Sequence, residues 1–249
     1  MQLDPRSLIA MAGFMSAMMA VVLLFMRRNY PPNIRGLDYW AAAPVLWLVS
    51  AVLFGSRGEL PQSLTVVLAN QALLLGAAVY YIGSRRFLGH GGGWALWGSV
   101  AVASTLVHIW LTYVTPSYAL RIAIFSLLMT VLYGAHLRFL LRHGGKGFPI
   151  RLVQVVLALH ILVLLTRFAS VLVGRAGSGI MEPSTFQTAY MGAYVLTVLM
   201  LSIGAILLAT DRVRTELEHL ATHDSLTQTL NRRAVMQLCQ EELLSLIHI

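Results

Sequence analysis

Four ionisable side chains, His108, Arg121, His160 and Arg167, lie inside long apolar runs, and Asn70 and Gln71 add two amides to another such run. Holding an ionised group in hydrocarbon costs about 2.5–3.5 kcal/mol on the milder insertion scale, so each of these positions needs a partner or a use. No Asp or Glu lies within the interior of any of the runs. Arginines without carboxylates must find another anion, a carbonyl or water. The chemistry these residue types could do is therefore capture of a small anionic or carbonyl-bearing ligand, with the six residues as its candidate pocket. Arg167 follows His160 by seven positions, which puts both on one helical face. A plainer role competes: Arg121 reaching the interface with its charged tip, and the others hydrogen-bonding between helices. Paired haem ligation by His108 and His160 is excluded, because at ~1.5 Å per residue their depths differ by ~10 Å.

The elements that must position these groups are apolar. Hydrophobic residues make up 57% of the 249 and charged residues 11%, less than half the roughly 25% of soluble domains. Runs at Leu8–Met26, Leu37–Phe54, Leu64–Ile82, Trp94–Val114, Tyr118–Leu140, Ile150–Val173 and Thr188–Thr210 are each long enough to cross a hydrocarbon core of ~30 Å. The first is longer than a signal-peptide core, lacks a small-x-small cleavage site, and carries Arg27 and Arg28 after it rather than before. The expected fold is an all-α membrane protein, a bundle of seven transmembrane helices. Tyr and Trp gather at the ends of the runs, as at Tyr39 and Trp40 or Trp110 and Tyr113, where amphipathic rings meet the interface.

Basic residues set the orientation. The connections after the first, third and fifth runs hold Arg27, Arg28, Arg35, Arg85, Arg86, Arg138, Arg142, Lys146 and Arg151, against Arg6, Arg57 and Arg175 elsewhere. That asymmetry puts the first set in the cytoplasm, the N-terminus outside and the C-terminus inside. The net charge of +8 thus reflects topology, and no nucleic-acid partner is expected. Cys239, alone, excludes an intrachain disulfide. Gly91-Gly92-Gly93 and Gly144-Gly145-Lys146-Gly147 do not match a phosphate-binding P-loop.

Past the last run, Ile206, Thr210, Val213, Leu217 and Leu220 alternate by four and three, with Asp211, Arg212, Arg214, Glu216 and Glu218 between them. This is the spacing of a short coiled coil, and equally of an amphipathic juxtamembrane helix. Then comes Asp224-Ser225-Leu226-Thr227, three residues, and Asn231-Arg232-Arg233. This pattern resembles the opening of the GGDEF domain, the catalytic module of bacterial diguanylate cyclases, with Gln228 where that family most often has Gly. The resemblance covers residues from Thr222 on.

It implies a parent protein that makes cyclic di-GMP from two GTP with magnesium, working as a homodimer through the linker helix. It also implies an ion pair between Asp224 and Arg232 or Arg233; Asp224 could alternatively cap a helix beginning at Ser225. The family's metal-binding aspartate and its Gly-Gly-Asp/Glu-Glu-Phe turn do not occur in these 249 residues, so no catalytic residue, metal site or cofactor is assigned to the chain and no activity is expected of it. The expected organisation is a membrane sensor domain over 1–210, a coiled-coil linker over 211–221, and the N-terminal fragment, including the first helix, of an α/β GGDEF domain over 222–249. Residues 244–249 are unlike that family, which suggests a truncated end. On this reading the pocket around His108, Arg121 and Arg167 is sensory, and the protein spans the bacterial inner membrane. The competing expectation is a non-enzymatic seven-helix receptor or transport-like protein with a coiled-coil interaction tail.

Overall fold

A computed structural model describes residues 4–175, 177, 179, 185–224, 227 and 229–247. Among them eight α-helices follow in order: α1 (Pro5–Asn29), α2 (Leu37–Gly55), α3 (Ala69–Phe87), α4 (Trp94–Ile109), α5 (Tyr118–His143), α6 (Phe148–Leu172), α7 (Thr185–Thr222) and α8 (Arg232–Ile247). Two π-helical segments extend the set, Ser63–Leu68 leading into α3 and Trp110–Val114 continuing α4. Among the described residues there is no strand, only isolated bridges. Seven helices are long and apolar enough to cross a membrane, so the chain is a multi-pass membrane protein. The chain divides into two compact units, Met1–Leu207 and Leu208–Ile249.

The helix ends follow from local chemistry. Asp4 caps α1 by accepting from the Arg6 amide at 3.2 Å, and Pro5 occupies a first-turn position that needs no amide hydrogen. Ser117 caps α5 through the Leu120 amide at 3.3 Å. Gly36 and Gly93 enter α2 and α4 at φ of 94° and 105°, a left-handed backbone that glycine adopts without strain. Arg27 at the end of α1 pairs with Asp38 in the first turn of α2. Several helices overrun the apolar runs, α1 and α5 by about three residues and α7 by twelve, because helical hydrogen bonding continues after hydropathy falls.

Within the first unit α3 is the central post. The Ser63–Phe87 span has 83% of its most apolar window buried, whereas Phe148–Leu172 has 22%. The rest of the surface is greasy: Phe14, Phe25, Leu96, Leu106, Leu159 and Leu172 are all exposed. Such faces are stable only against hydrocarbon, which identifies the bilayer as solvent. Small residues let the helices approach closely. A side chain at Gly83 would lie 2.7 Å from Trp40 Cδ1, and one at Gly76 would collide with the Trp47 indole. Tyr80, buried beside both tryptophans, donates to the Leu201 carbonyl of α7 at 2.7 Å.

Candidate functional site

Two adjoining cavities lie at the end of the bundle where α1, α3, α5 and α7 begin and α2, α4 and α6 finish. The smaller, about 40 Å³, is walled by Arg57, Asn70, His108, Tyr118, Arg121 and Arg167, with apolar residues between them. The larger, about 60 Å³, is mostly apolar, lined by Leu8, Ile9, Ala12, Leu73, Met191 and Tyr194 among others. Phe54, Asn70, Phe125 and Arg167 belong to both walls.

Most of the polar wall residues are held by local contacts. His108 is buried, and its Nδ1 lies 2.8 Å from the Ser104 carbonyl. A carbonyl can only accept, so Nδ1 carries the proton, and Nε2 of the neutral ring is an acceptor. Nε2 has no hydrogen-bond partner. Gln71 stands one layer behind, donating to Ser104 Oγ at 3.2 Å, and so steadies His108 without reaching the cavity. Asn70 donates back to the Val66 carbonyl at 2.6 Å, inside the π-helical segment before α3.

Arg121 donates from Nη1 to the Leu111 carbonyl at 3.0 Å and to Thr112 Oγ1 at 3.2 Å. Both acceptors belong to the other π-helical segment, whose wider turn offers carbonyls outward. The Arg167 guanidinium stacks 3.6 Å from the Tyr190 ring centroid, a cation–π contact from α6 to α7. Arg57, in the α2–α3 connection, is half-buried, and burial lowers its guanidinium from the ordinary value; the charge of Arg121 adds to this while Tyr118 opposes it. Three arginines thus line one cavity. Among the described residues, no carboxylate lines either chamber.

The structure gathers Asn70, His108, Arg121 and Arg167 and leaves His160 elsewhere. The shared helical face of His160 and Arg167 does not bring both to the cavity. His160 Nδ1 instead meets Thr197 Oγ1 of α7 at 2.8 Å, and its ring packs edge-on to Tyr133 at 5.2 Å. Arg57 is the wall residue that sequence reasoning missed, because a basic residue in a short connection reads only as a topological charge. His136 also escaped notice. It lies near the end of its apolar run, where an interfacial place would be expected, yet it is fully buried against Tyr80 and Tyr81 with neither ring nitrogen partnered.

The second unit contains the Asp224–Arg233 motif, of which Leu226 lies outside the described residues. Asp224 Oδ1 accepts from the Thr227 amide at 3.0 Å and from its hydroxyl at 3.1 Å. Asn231 works twice: Nδ2 donates to the Ala221 carbonyl at 2.8 Å, and Oδ1 accepts from the Ala234 amide at 2.9 Å. Its backbone amide adds a bond to the Thr222 carbonyl at 2.8 Å. The motif therefore closes a turn that ends α7 and caps α8. Arg232 and Arg233 form the first turn of α8.

Comparison with protein-family models, curated proteins and solved structures found no match. Function is therefore to be sought in the cavity wall and in the motif. Among the described residues, no group of three or more His, Cys, Asp or Glu could hold a metal ion.

Proposed function

We propose that the chain is the membrane sensor portion of a GGDEF-type diguanylate cyclase, the full-length parent making cyclic di-GMP from two GTP with magnesium. The observation that carries this is the Asp224–Arg233 motif placed directly after a helix that begins in apolar sequence and ends in charged sequence. A signalling helix needs a defined exit, and the turn locked by Asn231 supplies one.

In this reading the protein lies in the bacterial inner membrane with its C-terminus cytoplasmic, where GTP is available. Leu217 and Leu220 of α7 are 61% and 72% exposed, and the ion pairs Arg212–Glu216 and Arg214–Glu218 flank them on the same helix. An apolar strip bordered by paired charges suits a two-stranded coiled coil, and so a homodimer through the linker. Cyclases of the resembled type need two domains facing each other, which a parallel dimer would present.

The test is a graft. A complete GGDEF domain is joined in register after Arg233, and cyclic di-GMP is measured in cells. Turnover that changes when one or two residues are inserted after Leu220 supports the proposal. Turnover insensitive to such insertions favours the other class, a non-enzymatic receptor or transport-like bundle whose exposed leucines bind a different partner.

A further inference from the structure

We infer that the two adjoining cavities form one binding site for a small 2-hydroxycarboxylate with an apolar body. This deepens the sensor reading and rests on it only for its biological use; binding itself is a property of the membrane unit.

The ligand class follows from what the walls lack. Arg57, Arg121 and Arg167 all line a cavity of about 40 Å³, with no carboxylate among the described wall residues. Arg121 spends one nitrogen on Leu111 and Thr112. Among the described residues, Arg57 and Arg167 form no ion pair with a carboxylate, and Arg167 is steadied by the Tyr190 face. Uncompensated guanidinium groups in a low-dielectric setting select an anion, and their planar fork fits a carboxylate.

His108 refines the choice. The residue belongs to the same wall as the arginines, and its Nε2 is a buried, unpartnered acceptor. An acceptor beside an anion site asks for a ligand with a donor close to its carboxylate, on the adjacent carbon. Both a hydroxyl and an ammonium donate, but an ammonium would meet three guanidinium groups. The hydroxyl is therefore preferred.

The body of the ligand enters the second chamber. That space of about 60 Å³ is walled by Leu8, Ile9, Ala12, Leu73 and Met191, and Arg167 joins it to the first. With about 10–15 Å³ of such space per water, the two chambers suit a molecule of about seven to ten non-hydrogen atoms. A branched aliphatic tail of about four carbons on a 2-hydroxy acid meets that limit, whereas a benzyl tail exceeds it. Long acyl chains exceed it.

The experiment uses the full chain, purified in nanodiscs, with three near-isosteric probes measured by calorimetry: 2-hydroxyisocaproate, isocaproate and leucine. The expected order is 2-hydroxyisocaproate first, isocaproate at least about fivefold weaker, and leucine without measurable binding. Arg57→Gln, in a connection outside the packed helices, should weaken 2-hydroxyisocaproate about tenfold. Arg167→Gln should do the same. His108→Ala should erase the preference for the hydroxy acid over isocaproate while leaving isocaproate affinity within about twofold, a difference that misfolding would not produce. No binding of either acid at millimolar concentration, or leucine binding as well as its hydroxy analogue, overturns the inference. Because no cyclase is involved, such a failure leaves the graft experiment to decide the sensor reading separately.

Discussion

Trp40 occupies the space that a side chain at Gly83 would need, its Cδ1 falling 2.7 Å from where a Cβ would stand. Trp47 stands in the same relation to Gly76, one step further along the antiparallel pair of helices. Two indole-in-glycine sockets therefore set the separation of α2 from the central helix α3. Trp40 is fully buried and donates to Ser84 Oγ at 3.3 Å, which fixes the ring in its socket.

Gly83→Ala and Gly76→Ala should each destabilise the purified protein by about 1–3 kcal/mol, the usual cost of overpacking a rigid contact. Gly134 provides the comparison. It also lies within a helix, α5, but nothing stands within 4 Å of its would-be Cβ. Gly134→Ala should be neutral or stabilising by up to ~1 kcal/mol, since alanine is the better helix former. Thermal unfolding in detergent separates the two, and equal melting shifts for Gly83→Ala and Gly134→Ala would show that the sockets do not hold α2 against α3.

The turn between α7 and α8 depends on one amide side chain. Asn231→Ala loses the bond to the Ala221 carbonyl and the cap on the Ala234 amide together. A cap alone is worth about 1 kcal/mol, so amide exchange at Ala234 should quicken by roughly five- to tenfold. Asn231→Asp keeps the cap but loses the donor, and should fall between the two. Unchanged exchange in Asn231→Ala would mean that the backbone bonds alone hold the turn.

Orientation is open to a direct check. Fusions at Ser117 and Gly177 should report the outer side, and fusions at Gly145 and Glu218 the cytoplasm, as the arginine distribution requires. A cytoplasmic signal at Gly177 together with one at Gly145 and Glu218 is incompatible with seven crossings, and all four signals reversed would overturn the orientation.

Much of the architecture was readable because hydrocarbon imposes a blunt rule: an apolar run of about twenty residues must be a helix. Hence the seven crossing helices lie where the runs are. Composition does not distinguish a π-turn from an α-turn, so Ser63–Leu68 and Trp110–Val114 gave no signal. The same bluntness limited the site. Arg121 and Arg167 stand out because charge in hydrocarbon is rare, whereas Arg57 belongs to a connection where charge is ordinary. His160 shows the converse error. Its spacing from Arg167 is correct for one helical face, but the separation of seven positions covers two turns of depth, and Thr197 is its partner instead of the cavity. Periodicity yields direction around a helix; which neighbour stands there depends on packing between helices.

Ser63–Leu68 and Trp110–Val114 each take one residue more into their hydrogen-bonded loops than the α-helices they adjoin. Tightening either to α geometry would feed that residue along the chain and swing the side chains beyond it by about 100°. For the first, Asn70 would leave the cavity wall; for the second, Leu111 and Thr112 would turn away from Arg121. Each wide turn thus acts like a shim, setting which groups are presented to the interior.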